Sequence, residues 1–241
     1  MSEVAPILGN YASVMAFWVG HGANLVTYPV SNKICNVAAF VRDNDRDWPD
    51  YTKQTVQARK AEIIDAFADF NPMVRRLMEV LPDQQNRWGI FDTLDYPLES
   101  YAGGCVAVAG DAAHGATPHH GMGAGIGIED AVVLVTVLEQ AKQKLSSATA
   151  DASTPTSKRM AISRALETYD AIRRERSQWH CASSRRQGQL NKWELPEIRS
   201  GDDFVRDTAE RCSMLYSYNW RLEVQQSIED YKQRMAKASL E

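Results

Sequence analysis

The stretch from Val106 to Ala131 constrains this chain more than any other. It runs Val106-Ala107-Val108-Ala109-Gly110-Asp111, then a glycine-dense loop through Gly121, Gly123, Gly125 and Gly127, and then an apolar helical pattern. A short strand at 105–109 that ends in Gly-Asp places a carboxylate at its carboxyl end. The helix that follows aims free backbone N–H groups into the same crevice. A carboxylate there suits a sugar hydroxyl, and a helix end suits an anion or an electron-rich ring edge. The stretch reads as a site for a nucleotide-like cofactor.

Phosphate-binding loops of the usual kinds do not occur. No G-x-G-x-x-G is present, because the glycines from Gly121 to Gly127 are spaced by two throughout. No G-x-x-x-x-G-K-[ST] is present either.

Runs rich in Val, Ile, Phe, Tyr and Thr at 11–19, 24–30 and 34–42 are separated by Gly20-His21-Gly22 and Ser31-Asn32-Lys33. They predict an antiparallel meander. Asp43 to Pro49 reads as a polar loop. A helix is expected over 51–70, with Ile63, Ile64, Phe67 and Phe70 on one face, and a second over 73–81 after Asn71-Pro72. Residues 88–98 read as extended. The helix from Ile126 to Leu145 is apolar on most faces and should be buried. Ser146 to Ser157 reads as a flexible connection. Lys158 to Gln187, free of Gly and Pro, reads as a long amphipathic helix with its arginines on solvated or interdomain faces.

The composition is that of an ordinary globular chain: 241 residues, 44% apolar, 24% charged and a net charge of −4. That balance argues against a nucleic-acid surface. No apolar run approaches the ~20 residues of a membrane span. The N-terminus lacks the basic and apolar regions of a secretory signal, so a cytoplasmic location is expected. Cys35, Cys105, Cys181 and Cys212 form no C-x-x-C pair, and the adjacent His119 and His120 do not face one ion, so no metal site is expected.

The Val106–Ala131 stretch resembles the second flavin-binding motif of the aromatic-ring hydroxylases, single-component FAD monooxygenases related to salicylate hydroxylase. Gly110, Asp111, His114, Pro118, Gly121, Gly123, Glu129 and Asp130 stand at the positions of that pattern. The wording Thr117-Pro118-His119-His120-Gly121 is similar to the fungal branch. Phe17–Gly20, Val26–Val30, Trp88–Asp92 and Asp95-Tyr96-Pro97 extend the resemblance.

The resemblance implies an α+β chain, part of an α/β flavoprotein hydroxylase fold. Its parts would be a substrate-side antiparallel sheet with helices at 1–99, a strand–Gly-rich loop–helix flavin segment at 100–145, a linker at 146–157 and helices at 158–241. The N-terminal dinucleotide-binding unit of such enzymes, which holds the ADP half of FAD, is expected to be absent from this chain. The apolar Val106, Val108, Val133 and Val137 are then expected to lack partners.

The implied activity is hydroxylation of a phenolic or carboxylated aromatic compound, of secondary-metabolite type, with FAD as cofactor, NAD(P)H as reductant and O2. The alternative is a non-catalytic remnant or subunit that pairs with a separate N-terminal flavoprotein half. By resemblance Asp111 accepts hydrogen bonds from a ribityl or ribose hydroxyl; the bland alternative is that it caps its own turn. Pro118 shapes the loop, and Gly121, Gly123, Ala124 and Gly125 let a flat ring approach the backbone, or else serve tight packing. Tyr28 is the substrate-side catalytic candidate, as a group that binds or helps ionise a phenol, against the reading of an ordinary strand tyrosine. His114 is expected to fix loop geometry, and Glu129 and Asp130 to offset a helix dipole. His21 and Asn24 occupy a turn where related enzymes carry a basic or imidazole group, which leaves the usual base in doubt.

Overall fold

The computed structural model describes residues 1–43, 47–147 and 154–238. The chain divides into two units, Met1–Ile90 with Gln187–Val205, and Phe91–Arg186 with the residues from Arg206 onward.

The first unit opens with a short helix, α1 (Val4–Leu8), and a 3-10 turn at Gly9–Ser13. Strands β1 (Ala16–Val19), β2 (Ala23–Pro29) and β3 (Cys35–Val41) then form the expected antiparallel meander. Phe17 lies opposite Val26, and Val26 opposite Ala38. Residues 11–13, expected in the first strand, belong to the 3-10 turn instead. Asn24 is likewise not in a turn, because β2 begins at Ala23. Leu25 of β2 packs into a core with Leu8, Phe67, Val74, Leu77 and Met78, all fully buried.

The helix expected over 51–70 is the largest departure in this unit. Thr55–Arg59 is strand β4, and only Lys60–Ala66 is helical, as α2. β4 pairs antiparallel with β5 (Gln84–Trp88), Thr55 opposite Trp88 and Arg59 opposite Gln84. The Ile63/Phe67 face is a true helical signal, but Thr55 and Val56 are β-branched and find a distant partner. That partner, Gln84-Gln85-Asn86-Arg87-Trp88, has no apolar alternation to betray it. α3 (Pro72–Glu79) follows the sequence closely. Asn71 stays extended before Pro72, and its side chain accepts from Met73 N at 3.0 Å and Val74 N at 3.1 Å.

In the second unit β6 (Ala102–Gly103) and β7 (Val106–Ala107) make a minimal hairpin. Gly104 takes the left-handed φ of +60° that such a turn requires. The strand expected over 105–109 is therefore only two residues of ladder, extended by Val108 N donating to Tyr101 O. A one-turn helix, α4 (Asp111–His114), and a 3-10 turn at Pro118–His120 lead into α5 (Gly123–Ser146). α6 (Pro155–Asn191), α7 (Gly201–Tyr216) and α8 (Trp220–Ala238) complete the chain. Thr154 caps α6 by accepting from Ser157 N at 3.1 Å, with Pro155 in the first position, where its missing N–H costs nothing. Residues 148–153 of the expected linker and 44–46 of the expected polar loop lie outside the described residues.

Tyr101, Ala113, Val133, Val137, Ala141, Ala165, Tyr169 and Tyr231 form the core of this unit. Val133 and Val137 are thus fully buried and Val108 packs against the same core, contrary to the expectation that they lack partners; Val106 is 70% exposed. Among the described residues no helix is long and apolar enough to cross a membrane.

Candidate functional site

The turn that carries Asp111 is built by backbone before any side chain acts. Gly110 has φ +59°, which turns the chain out of the hairpin and into α4. Asp111 is the first residue of that helix, is exposed, and makes no side-chain hydrogen bond among the described residues. It does not cap its own turn, so its carboxylate is available to a ligand hydroxyl. Behind it, Tyr169 Oη donates to Val108 O at 2.9 Å and fixes the end of the strand to α6.

The glycine loop is open where a ring would lie. Pro118 starts the 3-10 turn, and Gly121 leaves it in the left-handed region at φ +63°. α5 begins at Gly123 behind Met122, which has no capping side chain. The first N–H groups of a helix lack partners inside it, and Met122 gives those of Gly123, Ala124 and Gly125 no side-chain cap. A Cβ at Gly121 or Gly123 would meet nothing within 4 Å, and Ala124 is exposed. Gly125 has a different reason: a Cβ there would come 2.7 Å from Met122 Cε. A Cβ at Gly127 would lie 3.7 Å from Gly110 Cα, which places α5 directly against the Asp111 turn. A carboxylate without a partner beside uncapped helix donors, with no Cβ in the way, fits the sugar and ring edge of a flavin.

A buried ion network holds these two pieces together. Asp130 of α5 is fully buried, and its Oδ2 accepts from Gly110 N at 3.0 Å and His114 Nε2 at 2.5 Å. Those two donors flank Asp111. Its Oδ1 accepts from Arg173 Nε at 2.9 Å. Arg173 of α6, also fully buried, further donates to Glu129 Oε2 at 2.8 Å, to both carboxylate oxygens of Glu223 on α8 at 3.0 and 3.1 Å, and to Ile126 O at 3.3 Å. Arg176 donates to both carboxylate oxygens of Glu129, Nε to the shared Oε2 at 2.8 Å and Nη2 to Oε1 at 2.9 Å, and stacks on Tyr218.

Burial pushes the Asp130 carboxyl up. The hydrogen bonds from His114, Gly110 and Arg173 outweigh it and hold the group below the usual carboxylate range. Burial raises Glu223, with Arg173 opposing. Glu129 and Asp130 are therefore more than dipole partners, and of the solvated or interdomain placement expected for the α6 arginines, the solvated one does not hold for the fully buried Arg173. Tyr169, Arg173, Ser177, His180 and Ser184 recur at helical spacing, and all are buried. Small serines interleaved with large polar groups on one face of α6 were the available signal.

That same face registers the loop. Cys181 Sγ donates to His114 O at 3.2 Å, Ser184 Oγ donates to Thr117 O at 2.5 Å, and Thr117 Oγ1 donates to Ser184 Oγ at 3.1 Å. His120 Nε2 lies 2.9 Å from Ser183 Oγ. Asp111, Pro118, Gly121, Gly123, Ala124 and Gly125 thus all belong to the second unit. Tyr28 belongs to the first, half-buried on β2 opposite Asn36 and on the same strand face as Val26 and Asn24.

A hairpin, an exposed carboxylate and a glycine-rich helix start without a capping side chain define a segment able to hold a nucleotide-like cofactor. The model of the FAD binding domain family matches residues 50–170, half of the chain, and the chain belongs to that family. An FAD-dependent monooxygenase of Aspergillus niger is 39% identical over 220 residues, 90% of this chain and 49% of the relative. One of Monascus ruber is 42% identical over 221 residues, with the same coverage. A salicylate hydroxylase of Sarocladium schorii is 36% identical over 192 residues, 77% of this chain and 39% of the relative. Among solved structures, a salicylate hydroxylase substrate complex superposes with TM-score 0.74 at 25% identity, over 93% of this chain and 54% of that one. The mixed helix-and-sheet fold is therefore the salicylate hydroxylase type, and the chain spans about half the length of the curated relatives it matches.

Proposed function

We propose that this chain carries the flavin-ring side of an FAD-dependent monooxygenase that hydroxylates a phenolic or carboxylated aromatic compound with NAD(P)H and O2. The observation that carries the reading is the exposed Asp111 beside the uncapped start of α5, both held by Asp130. Bound FAD would supply two-electron redox chemistry and activation of O2. Asp111 would accept from a ribityl or ribose hydroxyl. The N–H groups of Gly123, Ala124 and Gly125, with the α5 dipole, would favour negative charge on a ring edge. Pro118 would set the loop beside that ring. Tyr28 would bind a substrate hydroxyl and help ionise it, since an anionic ring is the better nucleophile. The pairing of His114 Nε2 with the buried Asp130 supports the reading that His114 fixes the geometry of the loop.

The test is to supply the chain, co-expressed with a polypeptide containing G-x-G-x-x-G, with FAD, NAD(P)H and a panel of phenols and hydroxybenzoates. Substrate-dependent NAD(P)H oxidation with a product heavier by one oxygen atom is the expected result. Flavin uptake without any such product would remove the monooxygenase reading.

The exposed face of α5 favours a second element of this reading, pairing with a separate nucleotide-binding half. Ile128 is 66% exposed, Val135 68% and Leu138 40%, aligned with the exposed Ala124 and Ala131. We infer that the chain alone binds FAD weakly, and that a co-expressed polypeptide containing G-x-G-x-x-G raises the affinity by supplying pyrophosphate contacts. Equal flavin retention with and without that polypeptide would count against pairing.

A further inference from the structure

The β1–β3 sheet of the first unit has two unlike faces. Trp18, Ala23, Leu25 and Val37 turn toward the core around Phe67 and Leu77. Strand alternation puts Asn24, Val26 and Tyr28 of β2 on the other face. Val19 lies opposite Asn24, Phe17 opposite Val26, and Asn36 opposite Tyr28. Phe17 and Val19 are exposed, and Val26, Tyr28 and Asn36 are half-buried. An open, largely apolar face thus runs up to Asn24.

Asn24 itself is 1% exposed, and neither Nδ2 nor Oδ1 has a hydrogen-bond partner among the described residues. An amide side chain offers two N–H donors and a carbonyl oxygen. Leaving such groups buried and unmatched costs roughly 1–3 kcal/mol each. A leucine would fill nearly the same volume without that cost, so packing does not account for an asparagine. The fold does not call on the side chain either. Gly22 N donates to Lys192 O at 3.0 Å and Arg42 N to Gly22 O at 2.8 Å, which closes that end of the sheet through backbone alone.

The charges at the same end suit a neutral ligand. Arg42, just past β3, lies 3.7 Å from Glu194, and Lys192 Nζ donates to Gly188 O at 2.8 Å, so both cations have protein partners. A carboxylate is acceptor-only. It would set its lone pairs against Asn24 Oδ1 and lose its hydration in a buried place, which is costly. A carbonyl oxygen together with a hydroxyl satisfies both ends of the amide: the carbonyl accepts from Nδ2 and the hydroxyl donates to Oδ1. Phe17 and Val26 then lie under the ring that carries them.

We propose that Asn24 is the specificity-determining contact of the substrate site and selects a neutral hydroxyaryl ketone or aldehyde over a hydroxybenzoate. The inference rests on the aromatic-hydroxylase reading and narrows its substrate to the uncharged class. Asn24 takes and gives no proton near pH 7; it orients the ring through two hydrogen bonds.

The test uses the 241-residue chain without flavin. The Asn24 side-chain amide is followed by 15N–1H NMR, with Asn24→Leu to assign the signal, during titration with 2,4-dihydroxyacetophenone or 2,4-dihydroxybenzoate. The two probes differ only in acetyl against carboxylate. The ketone should shift the Asn24 signal saturably and bind at least about tenfold more tightly than the benzoate. Asn24→Leu should keep or raise the thermal midpoint, since no protein hydrogen bond is lost, and weaken ketone binding about 10–100-fold, so that the two probes bind alike. Asn24→Ser, which removes the Nδ2 donors, should lose the preference in the same titration. Equal affinities in the native chain, an Asn24 signal that neither probe moves, or a folded variant that keeps the preference would overturn the proposal. The hydroxylase reading fails separately, by flavin uptake without an oxygenated product, whatever Asn24 binds.

Discussion

Asp111 is the carboxylate of the motif with no side-chain partner among the described residues, whereas Asp130, nineteen positions on, is fully consumed by Gly110, His114 and Arg173. The two should therefore separate cleanly on substitution. Asp111→Asn is expected to leave the thermal midpoint unchanged and weaken flavin binding about 10–100-fold, the worth of a charge-assisted hydrogen bond of roughly 1.5–3 kcal/mol. Parallel thermal melts and flavin fluorescence titrations would check it, and an unchanged titration would remove Asp111 from the cofactor site. His180 makes a residue-scale prediction for stability. Its pKa falls from 6.5 to about 4 on folding, so the unfolded chain binds the extra proton between those values. Stability should be full above pH 6.5 and decline as pH falls toward 4, by an amount on the order of 2 kcal/mol. Urea titrations at stepped pH should lose that slope in His180→Phe. Asp111 was legible in the sequence because Gly-Asp after a strand has a mechanical meaning. His180 was not, since a lone histidine in an amphipathic helix carries no spacing signal until its neighbours are known.

At the scale of elements, α5 and α6 are joined by charge as much as by apolar packing. Arg173 meets Asp130, Glu129 and Glu223 at once, all of them buried or nearly so. Removing the guanidinium strands carboxylates in the interior, so Arg173→Met should destabilise the chain by about 3–5 kcal/mol. Adding Asp130→Asn should then cost less than its effect in the native background, because the two share one network. Chemical denaturation of the single and double variants measures this, and strict additivity would show that the network is not cooperative. Gly20 tests packing in the other unit. A Cβ there would fall 2.4 Å from Phe70 Cζ, and the Phe70 ring is itself in contact with that of the buried Phe67. Gly20→Ala should cost about 1–3 kcal/mol by overpacking, whereas Gly125→Ala meets only the flexible end of Met122 and should cost less. Long helices and the β1–β3 meander were readable because their periodicity is local. β4 and β5 were not, because their pairing joins residues far apart in sequence and β5 carries no apolar alternation.

For the molecule as a whole, each unit has its own buried cluster, one around Phe67 and Leu77 and the other around Tyr101, Val137 and Tyr169. The sequence foresaw an unpartnered apolar surface, and of the residues it named Val106 is exposed while Val108, Val133 and Val137 are packed in the core. Val133 and Val137 face inward, while Ile128 and Val135, on the other side of the same helix, stay open. A helix apolar all round offers no way to tell from sequence which stripe its own chain covers. An apolar stripe running along α5 from Ala124 to Leu138 is the kind of surface that marks an interface or an aggregation hazard. Replacing Ile128 and Val135 together by Gln should leave the thermal midpoint within about 0.5 kcal/mol of equivalent stability, as surface changes do. The same change should reduce self-association and binding of a hydrophobic dye, and abolish any gain in flavin affinity from a co-expressed G-x-G-x-x-G polypeptide. Size-exclusion chromatography with light scattering, dye fluorescence and flavin titration read the three effects. A double variant that still gains affinity from the added polypeptide would place the pairing surface somewhere other than this face of α5.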